Sequence, residues 1–234
     1  MTTSGRLSTI SERVEAVRGR IAAACGRAGR SSEEVALVAI TKGFPPEAVR
    51  EAAAAGLRDF GENRVQEAQA KLRELADLAD LAPRPVWHMV GHLQTNKVKT
   101  AVSLFDIIQS VDSLHLAEAI SGRAPQGTRV PVLLEVSVAH EAAKYGFSPE
   151  ELPAAAQAAR RLPGLDVRGL MTVAPLVDDP EEVRPVFREL RELGRELELA
   201  ELSMGMTDDF EVAVGEGATI VRIGRAIFGE RSGP

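Results

Sequence analysis

The chain has 234 residues, of which 44% are hydrophobic types, and a formal net charge of -6 at pH 7. A chain of this size and apolar content can bury a substantial core, as one α/β barrel or as two small domains. The acidic balance argues against a nucleic-acid-binding protein, whose surface should be basic, but it leaves room for a local basic pocket that binds a phosphate.

The amino-terminal segment, residues 1–30, is predicted to form a helix. Ser8 or Ser11 can act as its N-cap, and Gly29 ends it. Its apolar residues recur at helical spacing, namely Ile10, Val14, Val17 and Ile21. The segment lacks the apolar run of a signal peptide, and no stretch of the chain approaches the roughly 20 apolar residues of a membrane span. We therefore expect a cytoplasmic protein that contacts no membrane.

The single cysteine, Cys25, excludes an internal disulfide, which fits a reducing compartment. It lies in a run of alanines within the predicted helix. Because a free cysteine in such a setting is usually a small buried hydrophobic residue, we predict a packed thiol without a catalytic role.

From about residue 34 onward, short apolar runs rich in β-branched residues alternate with helical segments. Eight runs are typical of buried strands, and they are EVALVAITKG, LRDFG, PVWHMVG, LFDIIQSVD, VPVLLEVSV, LDVRGLMTVAP, LAELSMG and TIVRIG. A helical segment follows each run, ENRVQEAQAKLRELADL being predicted as one long helix. Repeated strand–helix units imply a parallel sheet, and eight of them favour a closed (β/α)8 TIM barrel. We predict a single α/β domain over residues 1–234, with an extra helix in residues 1–30.

Lys42 ends the first predicted strand, on the side of a barrel where function is usually found. A lysine is strongly hydrated and is rarely placed against an apolar strand without a partner. Partial burial lowers the pKa of a lysine and frees its amine to attack carbonyl groups. The alternative is a structural lysine whose stem packs along the rim while its ammonium reaches water.

The ends of the seventh and eighth strands have the character of a phosphate site. The run SMGMTDD places Ser203 and Gly205 before a helix predicted to begin near Thr207, and RIGRAIFG places Gly224 before a short helix. Backbone N–H groups at helix starts bind anions, and phosphate sites after these two strands recur in this barrel. Ordinary turn glycines would explain the same spacing equally well.

Other chemistries find little support in the sequence. The absence of HxH and HExxH patterns disfavours a zinc site. Asp208 and Asp209 are interpreted as charges that complement a helix N-terminus rather than as an acid–base pair. His88 and His92 are interpreted as structural residues that form hydrogen bonds. For His88, which lies at a strand end, a functional role is the alternative.

Seven segments taken together resemble the pyridoxal phosphate homeostasis protein family, of the YggS/PROSC type. The segments are AITKGFPPEAVREA, FGENRVQEAQAK, WHMVGHLQTNKVK, IQSVDS, RGLMTVAP, LSMGMTDDFEVAV and TIVRIGRAIFG, and the resemblance runs from about Val35 to Gly229. It implies a fold-type III barrel like the N-terminal domain of alanine racemase. It also implies that pyridoxal 5'-phosphate (PLP) is held by Lys42 as a Schiff base.

The resemblance implies further cofactor contacts. It assigns the phosphate to Ser203 and to the turn of Gly224 and Arg225, and it puts Arg222 opposite the pyridine nitrogen. The complete predicted set is Lys42, Asn63, His88, Ser203, Met204, Arg222, Gly224 and Arg225. An arginine opposite the pyridine nitrogen keeps that nitrogen unprotonated, which weakens the ring as an electron sink.

Two positions depart from the family pattern. Gly43 and Phe44 follow the lysine, where a polar or aromatic residue and then Lys or Pro are expected. Arg225 stands where many members have threonine, so that its side chain could point outward.

Two function classes are compared. The favoured one is a monomeric, non-enzymatic carrier that holds PLP for intracellular homeostasis and passes it to recipients such as PLP-dependent apo-enzymes. The alternative is an amino-acid racemase-like enzyme, which would need a second base from a separate β-domain; few residues follow the eighth strand. Tyr145, the only tyrosine, lies in the run AHEAAKYGFSPE, which is interpreted as a flexible exposed loop with Lys144 solvated. A scaffold barrel without cofactor is a third hypothesis.

Overall fold

The computed structural model describes residues 9–138 and 145–230. Eight parallel strands close into a barrel in chain order, and β1 pairs with both β2 and β8. The strands are β1 (Ala36–Ile40), β2 (Asp59–Glu62), β3 (Val86–Met89), β4 (Ile107–Val111), β5 (Val130–Glu135), β6 (Leu165–Met171), β7 (Glu201–Ser203) and β8 (Ile220–Ile223). The predicted (β/α)8 TIM barrel is confirmed.

In the described part of the chain, an α-helix follows every strand and one more precedes the barrel. The helices are α1 (Ile10–Arg27), α2 (Pro46–Ala54), α3 (Val65–Glu74), α4 (Val98–Leu104), α5 (Leu114–Ser121), α6 (Leu152–Arg160), α7 (Arg184–Glu196), α8 (Phe210–Gly215) and α9 (Arg225–Phe228). The carboxyl ends of all eight strands therefore meet at one face of the barrel, where the predicted site residues were expected.

Helix α1 begins with a capping box at Thr9, whereas Ser8 or Ser11 was predicted as its N-cap. The N-cap is Thr9, whose hydroxyl accepts a hydrogen bond from the N–H of Glu12, while the Glu12 carboxylate accepts one from the N–H of Thr9. Ser11 lies inside the helix, and Ser8 lies outside the described residues. The reciprocal bonds satisfy two N–H groups that a helix start leaves unpaired, which explains why the helix starts here.

Helix α1 also completes the outer layer of the barrel. It packs beside α2, α8 and α9. Helix α9 has only four residues and cannot cover β8 and β1 by itself. The buried face of α1 includes Cys25, which is 1% exposed, and burial raises the pKa of its thiol. The predicted packed thiol is confirmed.

Two predicted helices have different bounds in the structure. The long helix predicted after β2 ends at Glu74, and a 3-10 helix follows from Ala76 to Asp80. The helix expected to begin near Thr207 begins at Phe210 instead. The Asp209 carboxylate accepts a hydrogen bond from the N–H of Met206, which closes a turn before the helix. Short-range polar bonds of this kind compete with helical hydrogen bonds and delay the start of a helix.

The core has two parts. A small cluster fills the inside of the barrel, and it consists of Val38, Ile40, Leu133, Met171 and Ile220. A larger cluster lies between the strands and the surrounding helices. No helix in residues 9–138 and 145–230 is long and apolar enough to cross a membrane.

Candidate functional site

Lys42 lies two residues after the end of β1, at the carboxyl end of the barrel, and is half-buried. It lines a cavity of about 190 Å³ whose other walls are Ile40, Phe44, Gly224, Arg225, Gly229 and Glu230. Gly224 lies close to β1, since a Cβ added to it would be 3.5 Å from the backbone oxygen of Ile40. Lys42 and the turn of Gly224 and Arg225 come from opposite ends of the chain and line the same cavity.

A buried ion pair holds the backbone before Lys42. Glu62, at the end of β2, is fully buried, and its Oε1 accepts a hydrogen bond of 2.6 Å from the Thr41 hydroxyl. Lys71 on α3 donates to the same carboxylate and, over 2.6 Å, to the backbone oxygen of Thr41. Its side chain is 6% exposed. The residue that precedes Lys42 is therefore fixed through both its side chain and its carbonyl group.

The backbone after Lys42 is held from the same helix. The N–H of Gly43 donates to Oε1 of Glu67, which lies 3.5 Å from the Lys71 ammonium. Burial raises the pKa of Glu62, and the Lys71 ammonium opposes that rise. The second carboxylate oxygen of Glu62 is buried and has no hydrogen-bond partner among the described residues. The negative charge of Glu62 therefore depends strongly on the Lys71 ammonium.

A chain of polar side chains, all buried except the last, crosses the inside of the barrel. Nη1 of Arg222 on β8 donates to Oγ of Ser203 on β7 over 2.6 Å, and the Ser203 hydroxyl donates to Oε1 of Gln109 on β4 over 2.6 Å. Nε2 of Gln109 lies 2.8 Å from Nδ1 of His88 on β3. Nε2 of His88 lies 3.1 Å from Oδ1 of Asp59 at the start of β2. We call these five residues the barrel relay.

Arg222 is a second buried cation of the site, with only 5% of its surface exposed. Its Nη2 donates to the backbone oxygen of Thr172 over 2.7 Å. Burial lowers the pKa of Arg222 to about 10, while the carboxylates of Glu135 and Asp209 oppose that decrease. Burial raises the pKa of Glu135 to about 7, and the charge of Asp112 adds to the rise. Arg222 therefore stays charged at neutral pH, and the nearby carboxyl groups balance part of its charge.

The other predicted site residues lie in different settings. Asn63 is half-buried after β2, and its backbone packs against Gly91, where an added Cβ would be 2.4 Å from the Asn63 oxygen. Met204 is fully buried. Arg225 is exposed, and its guanidinium lies 2.6 Å from Oδ2 of Asp208. The Arg225 side chain thus has an acidic partner at the rim of the cavity.

An aromatic pair stands at the mouth of the barrel. The ring of Tyr145 stacks on His92 with a centroid distance of 3.7 Å, and Nδ1 of His92 lies 2.8 Å from Oδ2 of Asp112. Tyr145 is 57% exposed. Lys144, for which a solvated position was predicted, lies outside the described residues.

The sequence interpretation missed several residues of these networks, among them Gln109 and Lys71. Gln109 is a polar residue inside the apolar run LFDIIQSVD, and that interruption was the available signal. Lys71 gave no comparable signal, because a lysine on an amphipathic helix usually faces water. Within the described ranges, no group of three or more His, Cys, Asp or Glu side chains could hold a metal ion.

Known families and proteins resemble this chain over nearly its whole length. The sequence model of a family described as alanine racemase, N-terminal domain, matches residues 14–232. A pyridoxal phosphate homeostasis protein from Pseudomonas aeruginosa is 47% identical over 229 residues, which are 96% of this chain and 97% of that protein. This chain belongs to the pyridoxal phosphate homeostasis protein family. A family member from Aquifex aeolicus is 48% identical over 227 residues, with coverage of 94% and 97%.

Solved structures agree with the family assignment. PipY of Synechococcus elongatus, in a structure with PLP bound, is 39% identical and superposes with a TM-score of 0.81. The match covers 94% of this chain and 100% of that chain. Alanine racemase from Corynebacterium glutamicum has a TM-score of 0.66 at 19% identity and is covered to 62%, which shows a shared fold alone.

Proposed function

We propose that this chain binds PLP as a Schiff base with Lys42 and serves intracellular PLP homeostasis by holding the cofactor and releasing it. The observation that supports this most directly is the cavity that Lys42 shares with Gly224 and Arg225. The 39% identity to PipY, whose structure was solved with PLP bound, adds to that support.

The chemistry of the cavity residues suits this cofactor. Bound PLP supplies an aldehyde that condenses with an amine and a ring that withdraws electrons. Lys42 offers the amine in a half-buried position. Arg225 and the backbone of Gly224, which line the same cavity, offer basic and N–H groups of the kind that bind phosphate.

The predicted contacts deeper in the barrel stay part of the proposal. We assign Ser203 to the phosphate and Asn63 and Met204 to the ring side, and we assign to His88 an indirect contribution through its hydrogen-bond partner Gln109. The Ser203 hydroxyl donates to Gln109 and accepts from Arg222, and the second lone pair of its oxygen can accept a hydrogen bond from a protonated phosphate oxygen.

We assign Arg222 to the pyridine nitrogen. The buried guanidinium is charged at neutral pH and would repel a proton on that nitrogen. An unprotonated ring stabilises carbanions weakly, which favours a carrier over a racemase. The names of the two 47–48% identical relatives point the same way. We further propose a cytoplasmic monomer that passes PLP to apo-enzymes.

An α-proton exchange experiment separates carrier from racemase. We expect the PLP-loaded protein in D2O to exchange the α-proton of L- or D-alanine no faster than free PLP at the same concentration, followed by proton NMR. Alanine racemase serves as the positive control. Fast exchange that disappears in Lys42→Ala would instead establish an enzyme, with the exposed Tyr145 as the first candidate base.

A further inference from the structure

The hydrogen bonds of the barrel relay have one consistent direction. A guanidinium can only donate and a carboxylate can only accept. Since Arg222 donates to the Ser203 oxygen, the Ser203 hydrogen is available for Oε1 of Gln109. The Gln109 amide nitrogen then donates to Nδ1 of His88, which leaves the Nε2 hydrogen of His88 to bond Asp59.

The reverse orientation of the Gln109 amide leaves the relay unsatisfied. Its NH2 group would face the Ser203 oxygen, which already accepts from Arg222, and the Ser203 hydrogen would lose its acceptor. A buried polar group without a partner costs about 1–3 kcal/mol. Gln109 and Ser203 are both fully buried, so neither can turn to water instead.

The relay joins the two ends of the barrel. Asp59, the first residue of β2, has a side chain that is 32% exposed, whereas His88 is 2% exposed and Arg222 is 5% exposed. A carboxylate near water thus lies at one end and a buried guanidinium at the other. Each link between them, namely Ser203, Gln109 and His88, is hydrogen-bonded on both sides, so the position of one link fixes that of the next.

We propose that Gln109 is a positioning residue for the bound cofactor. Gln109 orients the Ser203 hydroxyl, and the Ser203 hydroxyl fixes the Arg222 guanidinium. His88 fixes the Gln109 amide from the other side. This inference rests on the proposed function, in which Arg222 faces the pyridine nitrogen of PLP. Both ring nitrogens of His88 are engaged within the relay, so His88 acts on the cofactor through Gln109.

Gln109→Glu keeps the shape of the side chain and places a carboxylate two hydrogen bonds from Arg222. That charge offsets the guanidinium and favours protonated forms of the bound cofactor. The readout is the midpoint of a pH titration of the visible absorbance of the PLP-loaded protein. We expect the midpoint to rise by about one pH unit, equivalent to a differential interaction of about 1.4 kcal/mol. Glu135 and Asp209, the other carboxyl groups near Arg222, are unchanged in this variant.

His88→Phe provides a second variant that leaves Gln109, Ser203 and Arg222 in place. It releases the Gln109 amide, and we expect the Kd for PLP to rise about threefold or more, together with a shift of the absorbance midpoint. Ile108→Val is the matched control, because Ile108 is the fully buried neighbour of Gln109 on β4 and belongs to the cluster outside the barrel interior. The control should keep the wild-type midpoint and Kd.

The outcomes separate this inference from the proposed function. If the wild-type protein acquires no Lys42-dependent absorbance with PLP, the proposed function fails. If the wild-type protein does acquire that absorbance, but folded Gln109→Glu and His88→Phe both keep the wild-type absorbance midpoint and Kd for PLP, only the positioning role is overturned. Circular dichroism shows whether Gln109→Glu folds. If it does not fold, a midpoint and a Kd of His88→Phe that equal those of the wild type are enough to overturn the positioning role.

Discussion

Lys42→Ala is expected to abolish the visible absorbance that PLP acquires on binding to this protein. A Schiff base needs the ε-amine, and alanine has none. The measurement is the absorbance spectrum of each purified variant after incubation with PLP and removal of the unbound cofactor. Lys99→Ala is the control, because Lys99 is an exposed lysine on α4 and should leave the spectrum unchanged. A wild-type spectrum in Lys42→Ala would contradict the assignment.

The same variant is expected to keep part of its affinity for PLP. The proposed phosphate contacts at Gly224 and Arg225 line the same cavity and do not depend on the lysine. We expect a Kd that is weaker by about tenfold or more, a change of at least about 1.4 kcal/mol. Equilibrium dialysis measures it without relying on the absorbance of the imine. Complete loss of binding would indicate that the phosphate contacts contribute little.

Lys71→Met is expected to destabilise the fold by about 3–5 kcal/mol, the range for breaking a buried ion pair from one side. The change leaves Glu62 fully buried and without its cation. The Thr41 backbone oxygen loses its donor as well. Urea unfolding followed by circular dichroism measures the free energy of unfolding. We expect PLP affinity to fall too, because Thr41 precedes the lysine that holds the cofactor.

The pH dependence and a double variant test the cause of this loss. Burial already raises the pKa of Glu62, and removal of the ammonium should raise it further. Stability contributed by such a group is present below its unfolded pKa and is lost as pH rises through its folded pKa. The deficit of Lys71→Met should therefore shrink toward pH 4, and Glu62→Gln/Lys71→Met should recover part of it. A deficit that is independent of pH in the single variant would contradict a buried charge as its cause.

The barrel could be predicted from the sequence because its signals are local. The strands are short runs rich in β-branched residues, and the segments between them have helical periodicity, so the eight repeats alone indicate a closed barrel. Helix ends were harder to place. The start of α8 depends on the hydrogen bond from the N–H of Met206 to the Asp209 carboxylate. The start of α1 depends on a capping box at Thr9, and the neighbouring serines are equally good caps by residue type.

The site was only partly predictable. Lys42 and Gly224 could be placed together because parallel strands put their carboxyl ends at one face and closure makes β1 and β8 neighbours. The relay could not be predicted, because it depends on which side chains of distant strands face inward at the same height. Ser203 and Gln109 are 94 residues apart in the sequence, and the register of the intervening strands decides whether they meet.

The most direct test of the central claim is borohydride reduction of the PLP-loaded protein followed by peptide mass mapping. Reduction converts the Schiff base into a stable secondary amine, so the modified lysine keeps the added mass through proteolysis. We predict a phosphopyridoxyl group on Lys42 at near-stoichiometric yield, with no comparable label on the exposed Lys99. Label on other lysines together with an unmodified Lys42 would contradict the proposed site.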